Sequence, residues 1–219
     1  MDFIKFPKIA RFNRDVIVTE KIDGTNAQIY IGCGHDDLPD AKPVGDFAEW
    51  GIWAGSRNRW LTPESDNHGF AKWVAHHTPT LVAHLGPGLH YGEWWGSGIR
   101  RNYSIDQKRF SLFNVIRWNA NMYFQFKIQP WIDGGGKKGA PQKPKPFMAP
   151  PDCCHVVPVL GVCPFGELNP KFYLRQLEVF GSQAAPGFEK PEGIVIYHTQ
   201  GHMLFKATLK DDGGKHGNQ

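Results

Sequence analysis

Residues Val18 to Ile31 read VTEKIDGTNAQIYI, a run of strand-forming side chains interrupted by Glu20, Lys21, Asp23 and Asn26. Propensity alone would fill those positions with Val or Ile, so the polar cluster marks chemistry rather than packing. The pattern predicts two strands meeting at the Asp23-Gly24 turn, or one strand that bends there. Two residues apart on an extended chain, Lys21 and Asp23 would share a face. A lysine amine is a nucleophile only when uncharged. With an ordinary pKa of about 10.4, neutrality near pH 7.5 costs roughly 4 kcal/mol unless nearby positive charge helps.

Working outward, HGFAKWVAHHTPTLVAHL (His68 to Leu85) places Phe70, Trp73, Val74, Leu81, Val82 and Leu85 at helical spacing broken at Pro79. Its histidines carry no HExxH or comparable ligand spacing, so solvated or capping roles are expected. LHYGEWWGSG, RFSLFNVIRW and MYFQFKIQPW read as strands, and NPKFYLRQLEVFGSQAAPG as a short helix stopped near Gly181. Residues 134–152, rich in Gly, Pro and Lys, read as a flexible insert whose Lys137, Lys138, Lys143 and Lys145 could touch phosphates, with a solvated loop the expected reading. A disordered tail is expected over 211–219.

The chain has 219 residues, enough for one substantial core, and a single domain over 1–219 is expected. Its 41% hydrophobic and 21% charged content suits a soluble protein. Eight Trp and fifteen Phe supply faces for packing or for stacking on bases. A net charge of +4 permits a polyanionic partner without requiring one. The charged N-terminus lacks a signal-peptide core and no window approaches a membrane span, so a cytoplasmic, or virus- or phage-encoded, protein with no membrane partner is expected. Cys33, Cys153, Cys154 and Cys163 are too few, and two of them adjacent, for a disulfide framework. CCHVVPVLGVC lacks the C-x-x-C spacing of a zinc site, so buried structural thiols are expected.

The C-terminal PEGIVIYHTQGHMLFKATLK reads as a hairpin. A three-residue loop would set Tyr197 opposite Gly201 and Glu192 opposite Lys206, a carboxylate and an ammonium on one sheet face. Taken alone, that is an ordinary cross-strand ion pair.

It does not stand alone. Lys21-Ile22-Asp23-Gly24, Ser56-Arg57-Asn58, Gly92-Glu93, Phe113-Asn114, Glu192-Gly193-Ile194-Val195-Ile196 and Phe205-Lys206 occur in the order of the covalent nucleotidyltransferase motifs. Across Thr19 to Lys210 the chain resembles the polynucleotide ligases and messenger-RNA capping enzymes. EKIDGTN, SRNRW and GEWWGSGI are most similar to the phage RNA ligase 2 type. Asp23 stands where the best-known member has histidine, and Lys206 is followed by Thr208 and Lys210 where the closing motif usually reads K-x-K.

The resemblance implies an α+β fold, an ATP-grasp-like nucleotidyltransferase core of antiparallel and mixed sheets flanked by helices around a nucleotide cleft. It implies an ATP-dependent ligase that joins 5′-phosphate to 3′-hydroxyl ends of nicked or splinted duplexes, of RNA, DNA or hybrid, through a lysyl-AMP on Lys21. It implies Mg²⁺ or Mn²⁺ at Glu192 and Asp23, with Lys206 on the α-phosphate and Lys210 a further phosphate contact. Glu20 and the Ile22 backbone would read the adenine edge and Phe113 would stack on the base. Arg57 would pair with phosphate or ribose, Glu93 with a ribose hydroxyl, and Asn26 would help place the phosphates. Asp23, whose charge opposes deprotonation of Lys21, would serve the later steps. A monomer is expected. Only nine residues follow Lys210, so neither an OB fold nor a C-terminal helical domain is expected. The alternatives are a DNA ligase, a capping guanylyltransferase, and a nucleotide-binding protein without catalysis.

Overall fold

The computed structural model describes residues 3, 4, 6, 9–34, 39–135 and 149–210, so the tail at 211–219 and the four insert lysines lie outside the described residues. The chain divides into two compact units, Met1–Ile22 with Pro158–Gln219, and Asp23–Val157.

The first unit is a four-stranded antiparallel sheet in the order β11-β10-β1-β9. Its strands are β1 (Asp15–Lys21), β9 (Val159–Pro164), β10 (Gly193–His198) and β11 (Met203–Thr208). Alternation sends Val16 and Val18 of β1 to one face, where they meet Ile194, Ile196, Tyr173 and Leu177 in a buried cluster. Tyr173 and Leu177 lie one helical turn apart on α6 (Pro170–Phe180). Each such buried side chain stabilises the unit by about 1.5–3 kcal/mol. The sequence signals for α6 hold at both ends. Asn169 accepts from the Phe172 N–H, Pro170 opens the helix, and Gly181 closes it at φ +77°, where a Cβ would lie 2.7 Å from the Phe188 carbonyl oxygen.

The hairpin register differs from the expected one. His198 pairs with Met203, Tyr197 with Leu204 and Val195 with Lys206, so Thr199 to His202 form a four-residue loop. The His198 ring is the cause: its Nδ1 accepts from the Gly201 N–H at 2.9 Å, while the His202 N–H donates to the His198 carbonyl at 2.9 Å. Lys206 therefore faces Val195 and not Glu192.

The second unit is a mixed seven-stranded sheet with the path β3-β4-β2-β6-β7-β8 and β5 paired to β4. Here β2 is Thr25–Cys33, β3 Gly45–Phe47, β4 Trp50–Gly55, β5 Trp60–Leu61, β6 Gly88–Gly96, β7 Lys108–Leu112 and β8 Cys154–Val156. Only β7 and β8 run parallel among these pairs. The Val18 to Ile31 stretch thus forms two strands, as one reading predicts, but β1 and β2 pair with different partners in different sheets. Ala27, Ile29 and Ile31 of β2 face a core shared with Ile52, Ala54, Trp94, Phe110 and Leu112. The same core takes in Phe70 and Val74 of α1 (Phe70–His76) and Leu81 and Leu85 of α2 (Thr78–Leu85). The helix break falls at His77, with Pro79 in the first turn of α2, where a missing N–H is harmless.

Two expected strands are corrected. RFSLFNVIRW is strand only as far as Leu112, and α3 (Val115–Trp118) follows, capped by the Asn114 side chain. MYFQFKIQPW is helical: α4 (Ala120–Tyr123), a wider π-type turn over Phe124–Ile128, and α5 (Gln129–Asp133). Asn119 starts α4 by accepting from the Asn121 and Met122 N–H groups. Capping outweighs the apparent alternation because Met122 is the one residue of α4 that is buried, leaving little packing to enforce a strand.

Candidate active site

Lys21 ends β1 opposite Gly193 of β10, which in turn pairs with Thr208 of β11. Gly193 has φ +157°, and a Cβ there would sit 2.2 Å from the Ala207 carbonyl oxygen, so no other residue fits this point of the row. The Lys21 Nζ donates to Glu192 Oε2 at 2.6 Å, with the two side chains 25% and 18% exposed. The expected partner of Lys206 is therefore the partner of Lys21. Val195 joins Thr19 on β1 to Lys206 on β11, and Thr19 and Lys21 alternate onto one face, so Lys21 and Lys206 share that face. Lys210 lies just past the end of β11 and is exposed, and its carbonyl accepts from the Thr208 hydroxyl.

Glu20 points to the other face. It is 1% exposed, and its carboxylate accepts from the Ser182 hydroxyl at 2.5 Å and from the Gln183 and Ala184 N–H groups at 2.8 and 2.9 Å. Burial pushes its pKa up, while those three hydrogen bonds act in the opposite direction. Its oxygens bind the turn after α6, and the neighbouring Ile22 side chain is buried too.

In the second unit, Asn26 and Gln28 alternate away from the core face of β2 and line a cleft of about 350 Å³ with Ala27, Ser56, Arg57, Tyr91 and Phe113. Three of the residues singled out in the sequence, Asn26, Arg57 and Phe113, thus meet in one concavity. Tyr91 and Phe113 keep 53% and 41% of their surface exposed, and the Phe113 N–H donates to the Tyr91 carbonyl. Gln28 Nε2 donates to the Ser56 carbonyl at 3.1 Å. Glu93 stands opposite Asn26 across β2 and β6, 9% exposed, and its Oε1 accepts from the Gly24 N–H at 3.1 Å. Gly24 packs so closely that a Cβ would lie 2.5 Å from the Trp94 carbonyl oxygen.

Asp23 lies beyond the end of β1, not on an extended strand with Lys21 as the sequence reading had it. Its Oδ2 meets Arg101 Nε at 2.8 Å and its Oδ1 lies 3.7 Å from Arg100 Nε. The arginines and Tyr103, which holds the Asp23 N–H, are absent from the sequence-derived site, as are Gln28, Tyr91 and Ser182. Period-two alternation would have found Gln28 from Asn26 and Tyr91 from Glu93. Nothing local in GIRRNY announces that it folds onto Asp23.

The strand that ends at Lys21 pairs with the strand that begins after Glu192, in a mixed α+β frame. The RNA ligase family model matches residues 14–210, and the chain belongs to the RNA ligase family. Two solved structures of mutants of the Naegleria gruberi RNA ligase, one with ATP and Mn and one apo, share the fold. Each is 19% identical with a TM-score of 0.52, over 90% of this chain and 50% of the other. The chain therefore spans about half the length of these structures. None of the curated proteins matches it.

Proposed function

We propose that the chain is an ATP-dependent polynucleotide ligase sealing 5′-phosphate and 3′-hydroxyl ends in nicked or splinted duplexes containing RNA. The observation that carries this reading is the Lys21 amine, 2.6 Å from Glu192 and on the sheet face of Lys206. The amine, once deprotonated, attacks the α-phosphorus of ATP. A phosphorus–nitrogen bond forms, the bond to the β-phosphate oxygen breaks, and pyrophosphate leaves. A 5′-phosphate oxygen of the substrate then takes the AMP, releasing the amine, and the 3′-hydroxyl displaces AMP to leave the phosphodiester. Lys206 offsets charge on the phosphate oxygens, and Lys210 is a second phosphate contact.

In the second unit, Arg57 and Asn26 offer donors to phosphate or ribose oxygens, and Phe113 offers an exposed ring to a base. Glu93 accepts from a ribose hydroxyl. Glu20 serves the adenine end indirectly, by fixing the turn at Ser182 to Ala184 behind Lys21 and the Ile22 backbone.

Among the described residues no three His, Cys, Asp or Glu side chains gather to hold a metal ion. A divalent ion would rest on Glu192 together with phosphate oxygens and water, which is how Mg²⁺ accompanies nucleotides. When bound it would supply positive charge at the reacting phosphate. Asp23 fits this task less well, since both its oxygens face guanidinium groups. The Naegleria gruberi ligase solved with ATP and Mn supports the same choice of nucleotide and metal class.

The test is incubation with radiolabelled ATP or GTP and Mg²⁺ or Mn²⁺, followed by denaturing electrophoresis. Label held from ATP and lost in Lys21→Ala is expected. Capture from GTP alone would make the protein a capping enzyme, and capture from neither would make it a binding protein. A panel of splinted nicks, RNA or DNA on each side, then reads the strand preference, with RNA at the 3′-hydroxyl side expected to seal fastest and all-DNA slowest.

A further inference from the structure

Four polar groups of the Asp23-Gly24 turn are held by the stretch from Glu93 to Tyr103. Gly24 N–H donates to Glu93 Oε1 at 3.1 Å, and Asp23 N–H donates to the Tyr103 hydroxyl at 2.7 Å. Arg100 Nε donates to the Gly24 carbonyl at 2.7 Å, and Arg101 Nε to Asp23 Oδ2 at 2.8 Å. Three of the four partners fall between residues 100 and 103.

That segment is held in an unfavourable conformation. Arg100, Asn102, Tyr103 and Ser104 have φ of +46°, +62°, +53° and +53°, a region where a residue with a Cβ is disfavoured by about 1–2 kcal/mol. Left-handed non-glycine residues persist only where surrounding contacts over-determine them. Here Tyr103 is 1% exposed with its ring edge-on to Trp95 at 4.9 Å, and the Asn102 side chain accepts from the Gly98 N–H. The Arg100 contact to Asp23 is long and exposed, worth at most about 1 kcal/mol, and the half-buried Arg101 pair is one bond among four, so the two do not by themselves account for the conformation. The buried tyrosine and the bonds to backbone do, and those bonds end on the turn that follows Lys21-Ile22.

We infer that Arg101 and Tyr103 are positioning residues for the lysyl-AMP step, acting through Asp23 and Gly24 rather than on the nucleotide. The inference rests on the ligase reading above. It gives Asp23 the role of an anchor whose charge is already matched by guanidinium, and it makes the strained segment the part of the chain that holds the Asp-Gly turn following the lysine.

The experiment measures the rate of AMP capture from radiolabelled ATP against ATP concentration, with thermal unfolding recorded in parallel. Wild type must capture label; if it does not, the ligase reading fails and not this one. Tyr103→Phe keeps the ring against Trp95 and removes only the hydroxyl, while Arg101→Ala removes the guanidinium. Loss of a positioning bond is expected to slow capture at saturating ATP about tenfold, with the half-saturating ATP concentration unchanged within about twofold. Added guanidinium chloride should restore Arg101→Ala several-fold where equal sodium chloride does not. Arg175→Ala, which breaks the exposed pair with Glu178, should show neither effect. Capture by Tyr103→Phe at the wild-type rate overturns the inference, as does a loss in Arg101→Ala that follows its melting temperature and ignores guanidinium. Should Arg101→Ala not fold, Tyr103→Phe decides alone.

Discussion

His90 is buried on β6, 5% exposed, with Nε2 bonded to the Gly86 carbonyl at 2.9 Å. Burial pulls its pKa down from 6.5 to about 4, and the Arg117 charge adds to that; the bond to Gly86 opposes it. The unfolded chain binds the proton more readily, so stability rises with pH across this window. The contribution is complete above about pH 6.5 and is lost as pH falls toward 4, on the order of 3 kcal/mol in all. Urea midpoints at neutral pH and near pH 4.5 should differ accordingly, and His90→Gln should show a smaller difference than wild type. Glu20 teaches a different lesson at this scale. Its place beside Lys21 was legible, but its direction was not. Adjacent strand residues point to opposite faces, so Glu20 is turned away from Lys21, into the turn at Ser182. The sequence singles out Lys21, Glu192 and Lys206 because the ordered motifs carry both charge signs, but not that Glu192 meets Lys21 rather than Lys206. The contacts of Arg101 and Tyr103 to Asp23 are not announced by residue type, because a loop with left-handed residues brings them there.

Elements were legible where caps and periodicity agreed, as in α6, and failed where they conflicted. The stretch from Met122 to Trp131 alternates like a strand yet follows an Asn cap at Asn119 and carries Pro130 in the first turn of α5. Asn119→Ala should destabilise this segment by about 1 kcal/mol, read as faster amide exchange over 120–123. The sequence predicts a three-residue loop closed at Gly201, whereas the His198 ring closes a four-residue one. An odd shift in pairing moves every side chain to the opposite face, so the error reassigned the partner of Lys206 while leaving the strands correct. At Gly193 the ladder tolerates no side chain. Gly193→Ala should therefore destabilise the protein by about 2 kcal/mol or more and abolish AMP capture, as checked by thermal melts and by label retention.

The two units differ in how the chain builds them. The second runs unbroken from Asp23 to Val157 around its own core, whereas the first is assembled from Met1–Ile22 and Pro158–Gln219. A fragment of residues 23–157 is expected to fold alone, with dispersed amide NMR signals and a cooperative melt; a broad, non-cooperative melt would count against it. The sequence already required widely separated segments to converge, because the ordered motifs span Thr19 to Lys210. It gave no hint that the chain crosses from one sheet to the other at Ile22-Asp23, since a turn and a crossing use the same Asp-Gly signal.

The bond between Lys21 and Glu192 closes a separation of 171 residues. During synthesis the amine leaves the ribosome long before its carboxylate exists, and a chain that stops after Val157 but before Glu192 holds the whole second unit while Lys21 lacks this partner. The contact is therefore available only to a chain translated through residue 192, and no shorter product can form it.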